Sequence, residues 1–150
     1  MSRVPLRDFS HSLPMALLRA REAVMSRFRP MLRAHGVTEQ QWRVLRALED
    51  SGEIEISRLA ERSFILMPSL SRILQNLEGR GLITRRAAAA DQRRVLVAIS
   101  PKGLELVGEV APHSEANYAA IAEAAGEDNI ARLYGLLDQV TEALEPPPED

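Results

Sequence analysis

The sequence predicts a mainly α-helical fold with one small β-hairpin. Apolar residues recur at three- and four-residue spacing along most of the chain, which indicates amphipathic helices. Residues 82–99 differ, because two short segments flank a turn at residues 87–92 and Val95, Val97 and Ile99 alternate with other residues in the second segment. The helices are expected at about residues 13–35, 38–50, 57–62, 68–81 and 101–125, with a last helix after Gly126 that extends to about residue 144.

The order of the parts between residues 57 and 103 narrows this fold class. A short helix, a tight connection, a second helix and a basic hairpin follow one another. Leu59, Ala60 and Phe64 are expected to form the inward face of the short helix. The order of these parts is that of a winged helix-turn-helix, in which the second helix lies in the DNA major groove and the hairpin lies against the backbone and minor groove. Because two short helices alone are a weak signal, the hairpin carries the prediction. Ile54 and Ile56 are expected to form a third short strand.

Composition limits the class of protein. The chain has 150 residues, is 45% hydrophobic and contains no cysteine, so we expect one folding unit without disulfides or thiolate metal sites. It has no long apolar run and no apolar signal core at its start, which predicts a cytoplasmic protein with no membrane partner. The three histidines lie apart, and no phosphate loop, nucleophile motif or metal-ligand spacing is present. We therefore predict no enzyme activity, cofactor or metal site.

Charge is distributed unevenly along the chain. The formal net charge is only −2, but residues 57–103 carry nine Arg or Lys against three acids, and residues 104–150 carry one against eleven. A cationic middle beside an acidic end is typical of a DNA-facing lobe next to a region that avoids DNA. The alternative is an ordinary solvated run of charge.

The predicted second helix presents a polar face without acids before Glu78. The apolar residues Leu70, Ile73, Leu74 and Leu77 recur at helical spacing and must point inward. Small or hydrogen-bonding residues then face outward: Ser69, Ser71, Arg72, Gln75 and Asn76. The residue before the first turn is Leu66 or Met67 instead of a capping Ser, Thr, Asp or Asn, which costs about 1 kcal/mol. The polar face predicts a helix that enters a groove.

The predicted hairpin is basic and has a charged tip. Asp91 lies near the end of the turn at residues 87–92 and Arg93 directly follows it, so the carboxylate can brace the guanidinium group. A braced arginine at this position can lie in a narrow minor groove. The alternative is a surface ion pair of little energetic value.

An arginine interrupts the apolar stripe of the first helix. Arg21 shares that stripe with Leu17, Met25, Phe28 and Leu32. A charge on an apolar face requires a partner, so Arg21 is either a snorkelling or inter-subunit ion-paired residue or a ligand for a carboxylate. In the second helix, Thr38 and Gln41 form a capping box, and Trp42 and Arg46 lie one turn apart on one face. Trp42 is expected in the core, with a second role as a pocket wall.

Several motifs carry a family resemblance. They are Leu59-Ala-Glu61, Pro68-Ser-Leu-Ser-Arg72, Leu77-Glu-Gly-Arg-Gly-Leu-Ile83, Asp91-Gln-Arg-Arg94 and Ser100-Pro-Lys-Gly103. Together they resemble the MarR family of dimeric transcriptional regulators. The segments Leu17-Leu-Arg-Ala-Arg-Glu22 and Thr38-Glu-Gln-Gln-Trp-Arg-Val-Leu-Arg46 are similar, within that family, to the subgroup that regulates homoprotocatechuate degradation.

The resemblance implies a set of DNA contacts. Pro68, Ser69, Ser71 and Arg72 would approach bases or phosphates, Arg93 would reach the minor groove, and Asp91 would support it. With the outward and hairpin positions included, the expected DNA-binding residues are Pro68, Ser69, Ser71, Arg72, Gln75, Arg86, Asp91, Arg93 and Arg94. Leu66 and Met67 depart from the polar residues common at that point in the family.

The resemblance also suggests a small aromatic carboxylate as effector, bound between the dimerisation helices and the winged lobe. The expected ligand-binding residues are Arg21, Trp42, Arg46 and His11. Arg21 and Arg46 would hold the carboxylate, and Trp42 would lie against the ring. His11 and the other histidines are otherwise surface or interface residues.

The C-terminal segment fits a dimer. Ile130, Leu133, Leu137, Val140 and Leu144 form an apolar seam that a single small chain would leave exposed. We expect residues 13–36 and 101–145 to form a helical dimerisation region, residues 37–100 to form the winged helix-turn-helix lobe, and residues 146–150 to form a disordered tail. The predicted function is that of a homodimeric repressor of a pseudo-palindromic operator in double-stranded DNA. The alternative is a winged-helix module that binds a protein through the same polar face.

Overall fold

The computed structural model describes residues 3–146 and confirms a mainly helical fold with a small antiparallel sheet. The predicted tail lies outside the described residues, except for Pro146. The chain divides into two compact units, Met1–Ser114 and Glu115–Asp150. Along the chain the helices are α1 (Leu13–Ala34), α2 (Glu39–Ser51), α3 (Ile56–Ser63), α4 (Met67–Gly79), α5 (Pro101–Ala125) and α6 (Glu127–Leu144), and the strands are β1 (Ile54–Glu55), β2 (Ile83–Ala87) and β3 (Val95–Ile99).

The start of α2 follows its local sequence. The Gln41 backbone N–H donates to Thr38 Oγ1 at 3.1 Å, and the Thr38 backbone N–H donates to Gln41 Oε1 at 3.0 Å. This reciprocal pair satisfies two of the backbone donors that a helix start leaves open. The predicted capping box is confirmed, and it fixes the direction in which α2 leaves the end of α1.

The sheet has the strand order β1-β3-β2, with both pairings antiparallel. Val97 on the central strand lies opposite Ile54 on one side and Arg85 on the other. The predicted third strand is present, but it contains Ile54 and Glu55, since Ile56 already begins α3. Fully buried side chains from α2, α3, α4 and β3 form the core of this lobe: Val44, Leu45, Leu48, Leu59, Leu70, Leu74, Leu77 and Val97.

The end of α3 differs from the prediction. The sequence pattern places Phe64 inward, but its side chain is 91% exposed, and Ile65 is buried instead. The reason is the backbone of Phe64, which adopts a left-handed conformation with φ 54°. The Ile65 N–H then donates to the Ala60 carbonyl at 3.2 Å, which is the closing bond of a Schellman motif. Because the helix ends in this turn, Ile65 takes the inward position in place of Phe64 and packs in the core.

A close approach joins the sheet to α5. Ser100 Oγ donates to the Gly81 carbonyl at 2.6 Å and accepts the Gly103 N–H at 3.0 Å, so it caps the start of α5. At Gly103 the backbone of α5 comes so near to Leu82 and Ile99 that no side chain fits. A glycine is required here for space and not for its backbone angles.

The second unit carries the predicted apolar seam. Leu133, Leu137, Val140 and Leu144 of α6 are exposed, and Ile130 is half-buried. No helix among the described residues is long and apolar enough to cross a membrane.

Candidate functional site

Most polar side chains on the outer face of α4 have no partner among the described residues. Leu70, Leu74 and Leu77 are fully buried, and this orientation exposes the opposite face. Asn76 on that face accepts a hydrogen bond from Gln41 Nε2 at 3.1 Å. Across residues 3–146, the other four polar side chains of this face have neither a hydrogen bond nor an ion pair: Ser69, Ser71, Arg72 and Gln75. They are available to a ligand outside the chain.

The start of α4 lacks a side-chain cap, as the sequence indicates. Leu66 occupies the N-cap position with φ −65° and ψ 144°, and no side chain bonds the first-turn N–H groups. Pro68 follows in the first turn and is exposed. Since Pro68 has no N–H of its own, the missing cap leaves fewer open donors than usual.

The tip of the hairpin is a compact turn with one extended cation. Asp91 Oδ1 accepts the Arg93 backbone N–H at 3.0 Å and lies 3.6 Å from Arg93 Nε. The turn is closed by the Ala88 N–H, which donates to the Arg94 carbonyl at 2.8 Å. Arg93 is 95% exposed. Asp91 thus shapes the turn and steadies an arginine that extends from it.

The other two predicted hairpin contacts are engaged within the fold. Arg86 donates from Nε and Nη2 to Glu53 at 3.0 and 2.6 Å, and Arg94 forms an ion pair with Glu55. The hydrogen bond from Arg86 holds the pKa of the Glu53 carboxyl below its ordinary value. DNA contact by Arg86 and Arg94 stays a prediction, and it requires that they share or leave these carboxylates.

Arg21 lies in an ion pair within its own chain. Its Nη2 is 3.1 Å from Glu39 Oε2 at the first turn of α2, and its side chain is half-exposed. The sequence offered a snorkelling or inter-subunit pair or a carboxylate ligand as alternatives. In the structure Arg21 pairs with two carboxylates of its own chain, because its Nη1 also lies 3.7 Å from Glu22 Oε1.

The sequence analysis missed the network around that carboxylate. Besides Arg21, Glu39 lies 3.3 Å from Arg29 and 3.6 Å from Arg43. Arg29 also makes two hydrogen bonds of 2.8 and 2.9 Å to Glu22, which hold the pKa of the Glu22 carboxyl below its ordinary value. Arg43 donates to the Ser63 carbonyl at 3.1 Å and so ties α2 to the end of α3. The four-residue spacing of Glu39 and Arg43 is the signal that the sequence contained.

The predicted ligand residues are only partly brought together. Trp42 is half-buried, and Arg46, one turn along α2, forms an ion pair with Glu49. His11 lies in the exposed segment before α1, where its Nδ1 is 2.7 Å from Asp8. Within the described part of the chain, His11 has no hydrogen bond to Arg21 or Arg46. Its role as a ligand residue stays a prediction.

A cleft of about 380 Å³ lies elsewhere in the first unit. Its lining residues are Arg80, Leu82, Lys102, Glu105, Leu106 and Glu109, and none of the predicted ligand residues is among them. The described residues also contain no group of His, Cys, Asp or Glu arranged to hold a metal ion.

Known proteins with similar sequences are transcriptional regulators. The MarR family model matches residues 35–94. The chain is 36% identical over 137 residues to the HTH-type transcriptional regulator FarR of Neisseria gonorrhoeae, covering 91% of this chain and 94% of that protein. It is 38% identical over 128 residues to the homoprotocatechuate degradative operon repressor of Escherichia coli, covering 85% of this chain and 86% of that protein.

Solved structures show the same fold. The transcriptional regulator PA4135 is 44% identical with a TM-score of 0.86, over 90% of this chain and 98% of that one. NadR in complex with 4-hydroxyphenylacetate is 36% identical with a TM-score of 0.78, and the match covers 95% of this chain and 100% of that one. The repressor CouR bound to a 23-mer DNA duplex is 26% identical with a TM-score of 0.81, and the match covers 93% of this chain and 99% of that one.

Three findings agree on one assignment. They are the unpartnered polar side chains on α4, the hairpin with its extended arginine, and the sequence similarity over nearly the whole chain. The chain belongs to the MarR family of DNA-binding, winged-helix transcriptional regulators.

Proposed function

We propose that the protein is a homodimeric repressor in the cytoplasm that a small aromatic acid releases from its operator. The observation that carries the proposal is the set of four polar side chains on the outer face of α4 that have no partner among the described residues: Ser69, Ser71, Arg72 and Gln75. In a two-fold dimer the two α4 helices enter successive major grooves about 34 Å apart, and the operator is pseudo-palindromic. The homoprotocatechuate operon repressor, at 38% identity, supports repression as the mode of action.

The exposed seam of α6 supports the dimer. Leu133, Leu137 and Val140 recur at spacings of four and three residues, so they form one stripe along the helix. An exposed apolar stripe of this kind gains free energy when a second copy covers it. The same stripe on the partner subunit is self-complementary across a two-fold axis.

Arg72 supplies the direct test of the α4 assignment. Arg72→Ala is expected to weaken operator binding by about 1 to 3 kcal/mol and to relax the preference for one base pair, because the guanidinium group is lost from the groove. Binding is measured by fluorescence anisotropy on the operator and on duplexes with single base-pair changes. Arg132→Ala on α6 is the matched control, and it should bind like the unchanged protein. Equal affinity of the Arg72 variant would remove α4 from the interface.

The hairpin gives a comparison between two arginines. Arg93→Ala is expected to reduce operator affinity by about tenfold, because the Arg93 side chain is 95% exposed and extends from the tip with only Asp91 beside it. Arg86→Ala is expected to change affinity by less than about threefold, because Arg86 is held by Glu53. The measurement is the same anisotropy titration at two salt concentrations. A larger loss for Arg86 than for Arg93 would contradict this assignment.

The effector site is proposed on the α1 and α2 surface. Trp42 would lie against the aromatic ring, and the guanidinium groups of Arg46 and Arg21 would hold the carboxylate. Two findings support this assignment: the half-buried indole lies one turn from Arg46, and NadR, at 36% identity, binds 4-hydroxyphenylacetate. Binding releases DNA only if the acid has a higher affinity for a state that does not fit the operator.

Trp42 makes effector binding directly measurable. It is the single tryptophan of the chain, so addition of 4-hydroxyphenylacetate is expected to change the intrinsic fluorescence with saturation. Arg46→Ala should weaken this binding by tenfold or more. Arg33→Ala, an exposed arginine at the end of α1, is the matched control and should bind normally. The neutral amide of the same acid should not bind, and equal binding of acid and amide would rule out a carboxylate site.

A further inference from the structure

Three of four successive residues at the start of α4 are exposed apolar side chains. Phe64 is 91% exposed, Leu66 is 79% exposed and Met67 is 42% exposed, whereas Ile65 between them is buried. We call Phe64, Leu66 and Met67 the apolar segment. Single exposed apolar residues are ordinary on protein surfaces, but three together beside the proposed DNA-binding face of α4 indicate a contact surface.

Phe64 is held in a conformation that suits a smaller residue. It is the only non-glycine residue with positive φ in the described part of the chain, and a bulky side chain there costs roughly 1 kcal/mol. Glycine or asparagine would adopt the same backbone more easily. Because the aromatic ring is almost fully exposed, core packing does not explain a phenylalanine at this point.

Leu66 presents a similar conflict. The N-cap position of a helix favours a side-chain oxygen, and Leu66 offers none. Its side chain is also far from buried, so it contributes little to the core. The fold alone therefore explains neither Phe64 nor Leu66.

The location of the apolar segment suggests what it contacts. The first residues of a recognition helix meet the base edges in the major groove. Leu66 precedes Ser69 by three residues, about 4.5 Å along the helix axis, so the apolar segment continues directly into the free polar face of α4. The only apolar group on a base edge in the major groove is the C5-methyl group of thymine.

Charge around the segment favours DNA over a protein partner. Arg72, five residues after Met67, is exposed and has no ion pair among the described residues, whereas the exposed Arg58 and Arg62 pair with Glu61 and Asp50. An exposed, unpaired arginine next to the apolar segment favours DNA as the partner, because DNA presents both phosphate charges and thymine methyl groups.

We propose that the apolar segment contacts thymine C5-methyl groups and thereby selects the bases at the position in each half-site where α4 enters the groove. The inference rests on the proposed DNA reading by α4 and adds a specificity determinant to it. Leu66 and Phe64 supply the main contacts, and Met67 adds a flexible side chain that adapts to the groove.

Deoxyuridine substitution tests the proposal. Deoxyuridine pairs like thymidine but lacks the methyl group, so each thymine of the protein's own upstream operator is replaced in turn. With the unchanged protein, one or two positions per half-site should lose about fourfold in affinity, the value of one buried methyl group. The substitution leaves the minor groove and the phosphates as they were.

Two variants assign the loss to the apolar segment. The variants are Leu66→Ala and Phe64→Gly, and the glycine retains the left-handed backbone. Each variant should bind the natural operator more weakly than the unchanged protein does. In each variant, at least one sensitive position per half-site should become insensitive to deoxyuridine. Leu104→Ala removes an exposed leucine of α5 and should keep the full pattern. Circular dichroism checks that each variant retains its helices.

The outcomes separate this inference from the proposed function. Operator binding that is insensitive to deoxyuridine at every position overturns the methyl contacts and leaves DNA reading intact. Sensitivity that persists unchanged in both variants overturns the assignment to the apolar segment. Failure of the unchanged protein to bind its natural operator overturns the proposed function, and this inference with it.

Discussion

Leu137→Glu is expected to dissociate the proposed homodimer and to lower operator affinity by at least a hundredfold. Leu137 lies in the middle of the exposed seam of α6, between Leu133 and Val140. A carboxylate there would be buried in the proposed apolar interface without a cation, which is strongly unfavourable. A monomer presents one α4 helix and reads only half of the operator, so the loss extends to DNA binding.

Sedimentation equilibrium and the operator titration measure the two effects. Gln139→Glu is the matched control, because it adds the same charge to α6 two residues away, on the far side of the helix. It should remain dimeric and bind DNA normally. A Leu137→Glu variant that stays dimeric would show that α6 does not form the interface.

Gly103→Ala is expected to destabilise the fold by about 3 kcal/mol. A Cβ at Gly103 would overlap the Leu82 carbonyl oxygen and lie 2.6 Å from Ile99 Cγ1. Backbone cannot move aside as a flexible side chain does, so the start of α5 would have to separate from the hairpin. The melting temperature should fall by roughly 6 to 12 °C at fixed protein concentration.

Gly108 provides the control for this substitution on the same helix. A Cβ at Gly108 meets no atom within 4 Å, so Gly108→Ala should raise stability by about 0.5 to 1 kcal/mol through helix propensity. Urea unfolding of the two variants gives the comparison. Equal effects at both positions would contradict a close contact at Gly103.

The sequence predicted those features that depend on local periodicity and capping. The spacing of Leu70, Leu74 and Leu77 fixed which face of α4 is buried, and the structure confirms it. The capping box of Thr38 and Gln41 was equally readable, since both partners lie within one turn.

Features that depend on an unusual backbone or on distant partners were not predictable in the same way. The sequence pattern places Phe64 inward, because nothing in that pattern indicates a phenylalanine with a left-handed backbone. The pairing of Arg86 with Glu53 depends on how the sheet brings distant residues together, and the pairing of Arg21 with Glu39 depends on the packing of α1 on α2. The DNA and effector contacts of individual residues stay predictions, because they require partners outside the chain.

The central claim is tested most directly by titrating the purified protein against its own upstream DNA at about 50 mM and about 200 mM salt, with and without 4-hydroxyphenylacetate. A ligand-released repressor predicts tight binding at the lower salt, a loss of roughly a thousandfold at the higher salt through counterion release, and release when the acid is added. If the acid leaves DNA binding unchanged, the proposed effector is wrong and the proposed DNA binding still stands. No binding at either salt would contradict the account and favour a winged-helix module that binds a protein.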